Sequence, residues 1–116
     1  KSFSPMKSTF IRFLHLKDAL TGHHVNQEID LLAQRLLEVA VLKHAKDETF
    51  TVTEAMKMAE LASPATIHRK LDALIDNGYV TLEYKGQNRR SKFITPTAKT
   101  DQYFDQLGKV IAQSLA

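Results

Sequence analysis

Apolar residues recur at three- and four-residue spacings along most of the chain, which is the pattern of helices buried on one face. Residues 8–20 follow this pattern, and residues 21–24 contain the glycine that often follows a helix. A second helix is predicted from about Asn26 to Lys46. It is apolar on most of its sides, which is typical of a central, buried helix.

Shorter elements follow in the middle of the chain. The β-rich segment 50–52 predicts a short strand, and Thr53 is a suitable N-cap for a helix over 54–61. Ser63 followed by proline then has the order of an N-cap and a first helical residue, which predicts a helix over 64–77.

The last third of the chain predicts a β-hairpin and a final helix. Strands are expected over 79–85 and 91–95 with a turn at 86–88, and a helix over 96–115. The resulting order is α-α-β-α-α-β-β-α. A pair of short helices followed by a hairpin predicts a mainly helical fold with a small β-hairpin, the winged helix-turn-helix, as one domain over residues 1–116.

The helix over 64–77 divides into an inward and an outward face. Ile67, Leu71 and Leu74 share the inward face, so Arg69 faces outward, where a guanidinium can bond two acceptors of a guanine. The alternative is that its cations only solvate an exposed surface. The residues here predicted to contact DNA are Ser63, Ala65, Thr66, His68, Arg69 and Lys70.

The predicted turn of the hairpin is strongly basic. Residues 85–92 contain four cations and no acid, which suits contact with a minor groove or its phosphates. A solubilising turn is the alternative. The residues here predicted to contact DNA are Lys85, Asn88, Arg89, Arg90 and Lys92.

Residues 51–99 resemble the MarR family of bacterial winged-helix regulators. Leu74–Val80 matches the family's L-x-x-x-G-x-V/I phrase, residues 88–90 stand at its D-x-R wing motif, and residues 94–98 at its L-T-x-x-G-like phrase. Asn88 and Ala98 depart from the family's acid and glycine. The resemblance implies a transcriptional regulator with its recognition helix in the major groove and its wing arginine at the minor groove.

The terminal helices, predicted over 8–25 and 97–116, carry apolar faces that a small monomer rarely exposes. We expect them to form a homodimer, as in MarR-like regulators, around a DNA-binding lobe of residues 27–95 that binds a pseudo-palindromic operator. The alternative is that they fold back on their own domain. The predicted interface residues are Phe10, Phe13, Leu14, Leu20, Tyr103, Phe104, Leu107, Val110, Ile111 and Leu115.

Composition narrows the function classes. The 116 residues are 43% hydrophobic, as in globular proteins, and contain no cysteine, which excludes disulfides and thiolate metal sites. No run approaches the roughly 20 apolar residues that span a bilayer, so we expect a cytoplasmic protein with no membrane partner. The net charge of +3 permits nucleic-acid binding without requiring it.

Other function classes have less support. There is no G-x-S-x-G, phosphate-loop or H-E-x-x-H motif, and adjacent His23 and His24 point apart, so we expect no enzyme, cofactor or metal site. A winged-helix protein-interaction module is the main alternative, although it would more often present an apolar patch than a basic one. RNA binding would favour clustered exposed aromatics, which are not evident.

An effector site is a further expectation. MarR-like proteins often bind a small aromatic molecule between the dimer helices and the DNA-binding lobe, and Phe10, Phe13, Tyr103 and Phe104 are candidates to line such a cleft. Aromatic residues at helical spacing are also typical of an ordinary core.

Overall fold

The computed structural model describes residues 4–21 and 29–115. Contacts divide this part of the chain into a helical unit, residues 4–21 and 101–115, and a lobe, residues 29–100. It contains five helices and a two-stranded antiparallel hairpin, in agreement with the predicted mainly helical class. The elements are α1 Pro5–Thr21, α2 Leu31–Ala45, α3 Val52–Met56, α4 Pro64–Asp76, β1 Val80–Lys85, β2 Asn88–Pro96 and α5 Ala98–Ser114.

The central helix of the lobe, α2, begins where an aspartate caps it. The Asp30 carboxylate accepts a hydrogen bond of 2.9 Å from the Ala33 amide, so the helix starts at Leu31. The start predicted at Asn26 lies outside the described residues. Leu36, Leu37 and other α2 side chains are buried and form one side of the lobe's core, whereas Leu31 and Leu42 are exposed, so the helix is buried on one face and not on most of its sides.

Helix α4 closes the other side of this core. The Ser63 hydroxyl accepts a hydrogen bond from the Thr66 amide, at 3.3 Å, and Pro64 takes the first helical position. Both the start and the end of the helix lie within one residue of the prediction. Ile67, Leu71 and Leu74 are buried, and α4 packs on α2.

The segment between these two helices differs from the prediction. In place of a strand over 50–52 there is a single bridge between Thr51 and Phe93. Thr51 and Glu54 form a reciprocal capping box, with the Glu54 carboxylate 2.8 Å from the Thr51 amide, so α3 starts at Val52 and not after Thr53. The helix ends at Met56, because the next amides bond to the carbonyl three residues back, as in a turn, and not to the one four residues back, as in an α-helix.

Hydrogen bonds join the start of α5 to the segment that follows α4. The Tyr79 carbonyl accepts hydrogen bonds from the buried Thr100 hydroxyl at 2.5 Å and from the Thr97 amide at 3.1 Å. Lys99 donates to the carbonyl of Asn77 at 2.7 Å and lies 4.4 Å from the Tyr79 ring. Gly78 adopts the left-handed φ of 81° that turns the chain from α4 into β1.

The helical unit contains α1 and the greater part of α5. The Arg12 guanidinium donates to the Ser114 carbonyl at 3.4 Å, which links the two helices. Helix α1 extends the predicted 8–20 by three residues at its start, and Gly22, predicted to end it, lies outside the described residues. Among the helices of the described segments, none has the length and apolar character needed to cross a membrane.

The buried hydroxyl of Thr100 provides a stability test. Valine has the same shape and lacks the donor, so Thr100→Val should lower the free energy of unfolding by about 1 kcal/mol, measured by urea denaturation. The matched control is Thr81→Val, an exposed threonine on β1. A loss no larger than in this control would show that the bond to Tyr79 does not stabilise the fold.

Candidate nucleic-acid interface

A row of hydrogen-bonded polar side chains lies on the outward face of α4. The Ser63 hydroxyl is 3.0 Å from the Thr66 hydroxyl, which in turn accepts a hydrogen bond of 3.2 Å from the Arg69 guanidinium. Arg69 and Ala65 are exposed. Four of the six residues predicted on this helix therefore share an accessible surface, and three of them form one connected row.

His68 lies beside an acid on the same helix. Its Nδ1 is 3.2 Å from the Asp72 carboxylate, and both side chains are more than half exposed. When the imidazole is protonated, this contact becomes an ion pair. A DNA phosphate that approached His68, one of the residues predicted to contact DNA, would therefore compete with Asp72.

Lys70 is engaged within the lobe. Its ammonium donates to the Asp30 carboxylate, and its side chain is only 29% exposed. The hydrogen bond from Lys70 is the main cause that lowers the pKa of Asp30, and the Ala33 amide adds to it. The DNA contact predicted for Lys70 would therefore compete with its bond to Asp30.

Asp30 has a role that was not predicted from the sequence. Lys70 is half-buried, unlike the exposed Arg69 that precedes it, because its ammonium reaches back to the cap of α2. An aspartate directly before the apolar pair Leu31–Leu32 is a signal for an N-cap that was available in the sequence. No signal in the sequence indicated that Asp30 pairs with Lys70, forty residues away.

The cations of the hairpin contact aromatic rings. The Arg89 guanidinium lies 5.2 Å and the Lys92 ammonium 5.7 Å from the centre of the Tyr84 ring, and Lys85 lies 5.0 Å from that of Phe93. Arg90 is also exposed. These aromatic partners were not predicted, and the side chain of Asn88 lies outside the described part of the structure.

Beyond Glu83 in β1, the charged side chains of the hairpin are all cations. No acid occurs between Tyr84 and Thr100, a stretch with five Lys and Arg residues, and Glu83 precedes it. Exposed cations without carboxylates beside them in sequence produce a positive local field. The structure thus brings the predicted wing residues together on a basic ribbon.

The predicted dimer residues divide by burial. Tyr103 and Val110 are buried within the single chain, which leaves them little surface for a partner, and their place at a dimer interface stays a prediction. Four side chains in the set are half-buried: Phe13, Leu20, Phe104 and Leu107. The exposed members are Phe10, Leu14, Ile111 and Leu115.

The helical unit also contains an apolar hollow of about 290 Å³. Phe10 and Phe13, two of the predicted effector residues, line it. Tyr103 and Phe104 do not, and their rings contact each other with centroids 5.2 Å apart. Within the described ranges no three His, Asp or Glu side chains cluster as metal ligands, and His23 and His24 lie outside those ranges.

Comparisons with known proteins bear on the fold. No family model matches the chain, and no curated protein sequence matches it. Among solved structures, the heme sensor protein PefR from Streptococcus agalactiae in complex with heme is similar, with a TM-score of 0.61 and 14% sequence identity over 97% of this chain and 76% of that one. Apo, heme-free PefR has a TM-score of 0.58 and 14% identity over 95% of both chains.

These similarities, with the helix pair and the hairpin, settle the architecture. The chain has a winged-helix fold. In the winged-helix lobe, α3 and α4 form the helix-turn-helix, and β1 and β2 form the wing. The predicted fold class is thereby confirmed.

The contact between Asp30 and Lys70 gives a pH-dependent prediction. Asp30→Ala removes an N-cap and should lower the free energy of unfolding at neutral pH by about 1 kcal/mol. Because the folded-state pKa of Asp30 is lowered, its stabilisation is present above the ordinary carboxyl pKa and is lost as the pH falls through the lower folded value. The free energy of unfolding, measured by urea denaturation, should therefore fall less steeply with decreasing pH in Asp30→Ala than in wild type.

Lys70→Met is the matched control, because it keeps the cap and removes the main cause of the lowered pKa. The fall of its free energy of unfolding with decreasing pH should be intermediate between those of wild type and Asp30→Ala. Parallel profiles for all three proteins would contradict this role of the Asp30–Lys70 contact.

Proposed function

We propose that the chain is a sequence-specific, double-stranded DNA-binding transcriptional regulator of the MarR type. Helix α4 enters the major groove and the wing contacts the minor groove. The observation that carries this proposal is the outward row of Ser63, Thr66 and Arg69 on a helix whose inward face is buried. The row presents two hydroxyl groups and one guanidinium to a groove. These groups form hydrogen bonds with base edges and phosphates.

The basic wing supports the same function. Its cations supply the sequence-independent contacts to phosphates, which make affinity fall as salt rises. The lobe therefore offers one surface for base contacts and another for the backbone. A protein partner would more often meet apolar side chains at such a surface.

The comparison with PefR supports a regulatory class. PefR is named a heme sensor protein, and this chain shares its fold across most of both chains. At 14% identity the likeness carries over no ligand. We therefore assign this chain no heme. We propose that it is a regulator without enzymatic activity and that it acts in the cytoplasm.

A homodimer that binds a pseudo-palindromic operator is part of the proposal. Phe10, Leu14 and Ile111 are exposed large apolar side chains on the two helices of the helical unit, and Leu115 is another directly after α5. A second copy that covers them would remove this surface from water and double the number of phosphate contacts. The apolar hollow beside Phe10 and Phe13 is the candidate site for a small aromatic effector.

The base-reading role of Arg69 is tested with duplexes selected from a random pool. Arg69→Ala should weaken binding to the selected site by about 1–3 kcal/mol and relax the sequence preference, as measured by fluorescence anisotropy. Arg35→Ala is the matched control, since Arg35 is an exposed arginine on α2 in an ion pair with Glu38. The control should bind with wild-type affinity.

Equal losses on the selected site and on random duplexes would contradict base reading by Arg69. If wild type enriches no sequence and shows no salt-dependent binding, the proposed function itself fails. The winged helix would then serve a protein partner, which is the alternative function.

The dimer is tested by sedimentation equilibrium. Ile111→Glu places a charge on an exposed apolar position, so it should convert a dimer to a monomer and reduce affinity for the two-half-site duplex more than for a single half-site. Gln102→Glu, at an exposed position of the same helix, is the control. A wild-type chain that sediments as a monomer at micromolar concentration would contradict the dimer.

A further inference from the structure

The wing contains a bulge, a register shift that interrupts the regular ladder beside three of its four cations. Lys85 pairs with Asn88 and Glu83 pairs with Phe93, so β1 advances by two residues while β2 advances by five. Four residues of β2 lie in this interval opposite a single residue of β1, and three of the four are the cations Arg89, Arg90 and Lys92. A bulge bends a strand and redirects its side chains.

Tyr84 is the β1 residue opposite this bulge. It lies between Glu83 and Lys85, where the register shifts, and its side chain is 39% exposed. Arg89 and Lys92, both from the bulge, have their cationic groups at 5.2 and 5.7 Å from its ring centre. One ring therefore contacts two of the four wing cations.

An aromatic partner differs from an acidic one in its effect on charge. On α4, Lys70 faces the Asp30 carboxylate, which offsets the positive charge of its ammonium. A neutral ring attracts a cation through its quadrupole but leaves the net charge of the cation unchanged. Arg89 and Lys92 are thus held in place while their charge stays available to an anion.

Holding these side chains before binding has a thermodynamic consequence. Long cationic side chains lose rotamer freedom when a ligand immobilises them, and preorganisation reduces that cost. We propose that Tyr84 is a positioning residue, which presents Arg89 and Lys92 together to the DNA backbone at the minor groove. This inference rests on the proposed DNA-binding function and adds to it a residue that the sequence analysis did not select.

Two variants of Tyr84 in the full chain test the inference. Tyr84→Phe keeps the ring and should bind the selected duplex within about two-fold of wild type, whereas Tyr84→Leu should raise the Kd by about five-fold. Thr81→Leu introduces the same side chain at another exposed position of β1 and is the matched control. In a background of Arg89→Ala and Lys92→Ala, Tyr84→Leu should have no further effect, since both partners of the ring are gone.

A second measurement needs no DNA. In the free protein, ring currents should shift side-chain proton resonances of Arg89 and Lys92, a shift that Tyr84→Phe keeps and Tyr84→Leu abolishes. Unshifted resonances in wild type would overturn the inference. Wild-type binding by Tyr84→Leu, or an undiminished effect in the double-alanine background, would overturn it while leaving the proposed function intact. Absence of duplex binding by wild type would overturn both.

Discussion

The burial of one side of α4 is the constraint on which the rest of the structure depends. Ile67, Leu71 and Leu74 pack toward α2, and a helix has only one rotation about its axis that buries all three. That rotation exposes Arg69 and aligns it with Thr66 and the cap at Ser63. The core of the lobe and the polar row on its surface are therefore two results of the same packing.

The partners of the cations distinguish two parts of the candidate interface. On α4, carboxylates accompany His68 and Lys70, and the pair formed by Lys70 also joins α4 to the cap of α2. On the wing, aromatic rings accompany the cations, and no acid occurs between Glu83 in β1 and Asp101 in α5. The helix is thus suited to precise placement of a few groups, whereas the wing is suited to a concentrated positive charge.

The parts of this account that the sequence predicted are those fixed by local interactions. The Ser63–Pro64 start of α4 and its inward stripe follow from capping and spacing within one helix. The contact between Asp30 and Lys70 joins positions forty residues apart, and no local pattern carries it. The expected strand at 50–52 became a bridge because the Thr51–Glu54 capping box starts a helix there.

The measurement that tests the central claim most directly is an NMR titration of the isotopically labelled protein with a selected duplex. The account predicts that the largest amide shift changes occur at residues 63–69 and 85–92, while amides on the exposed face of α2, around Arg35 and Leu42, change little. Changes confined to α2 or to the helical unit would contradict the claim that the outward face of α4 and the wing bind DNA.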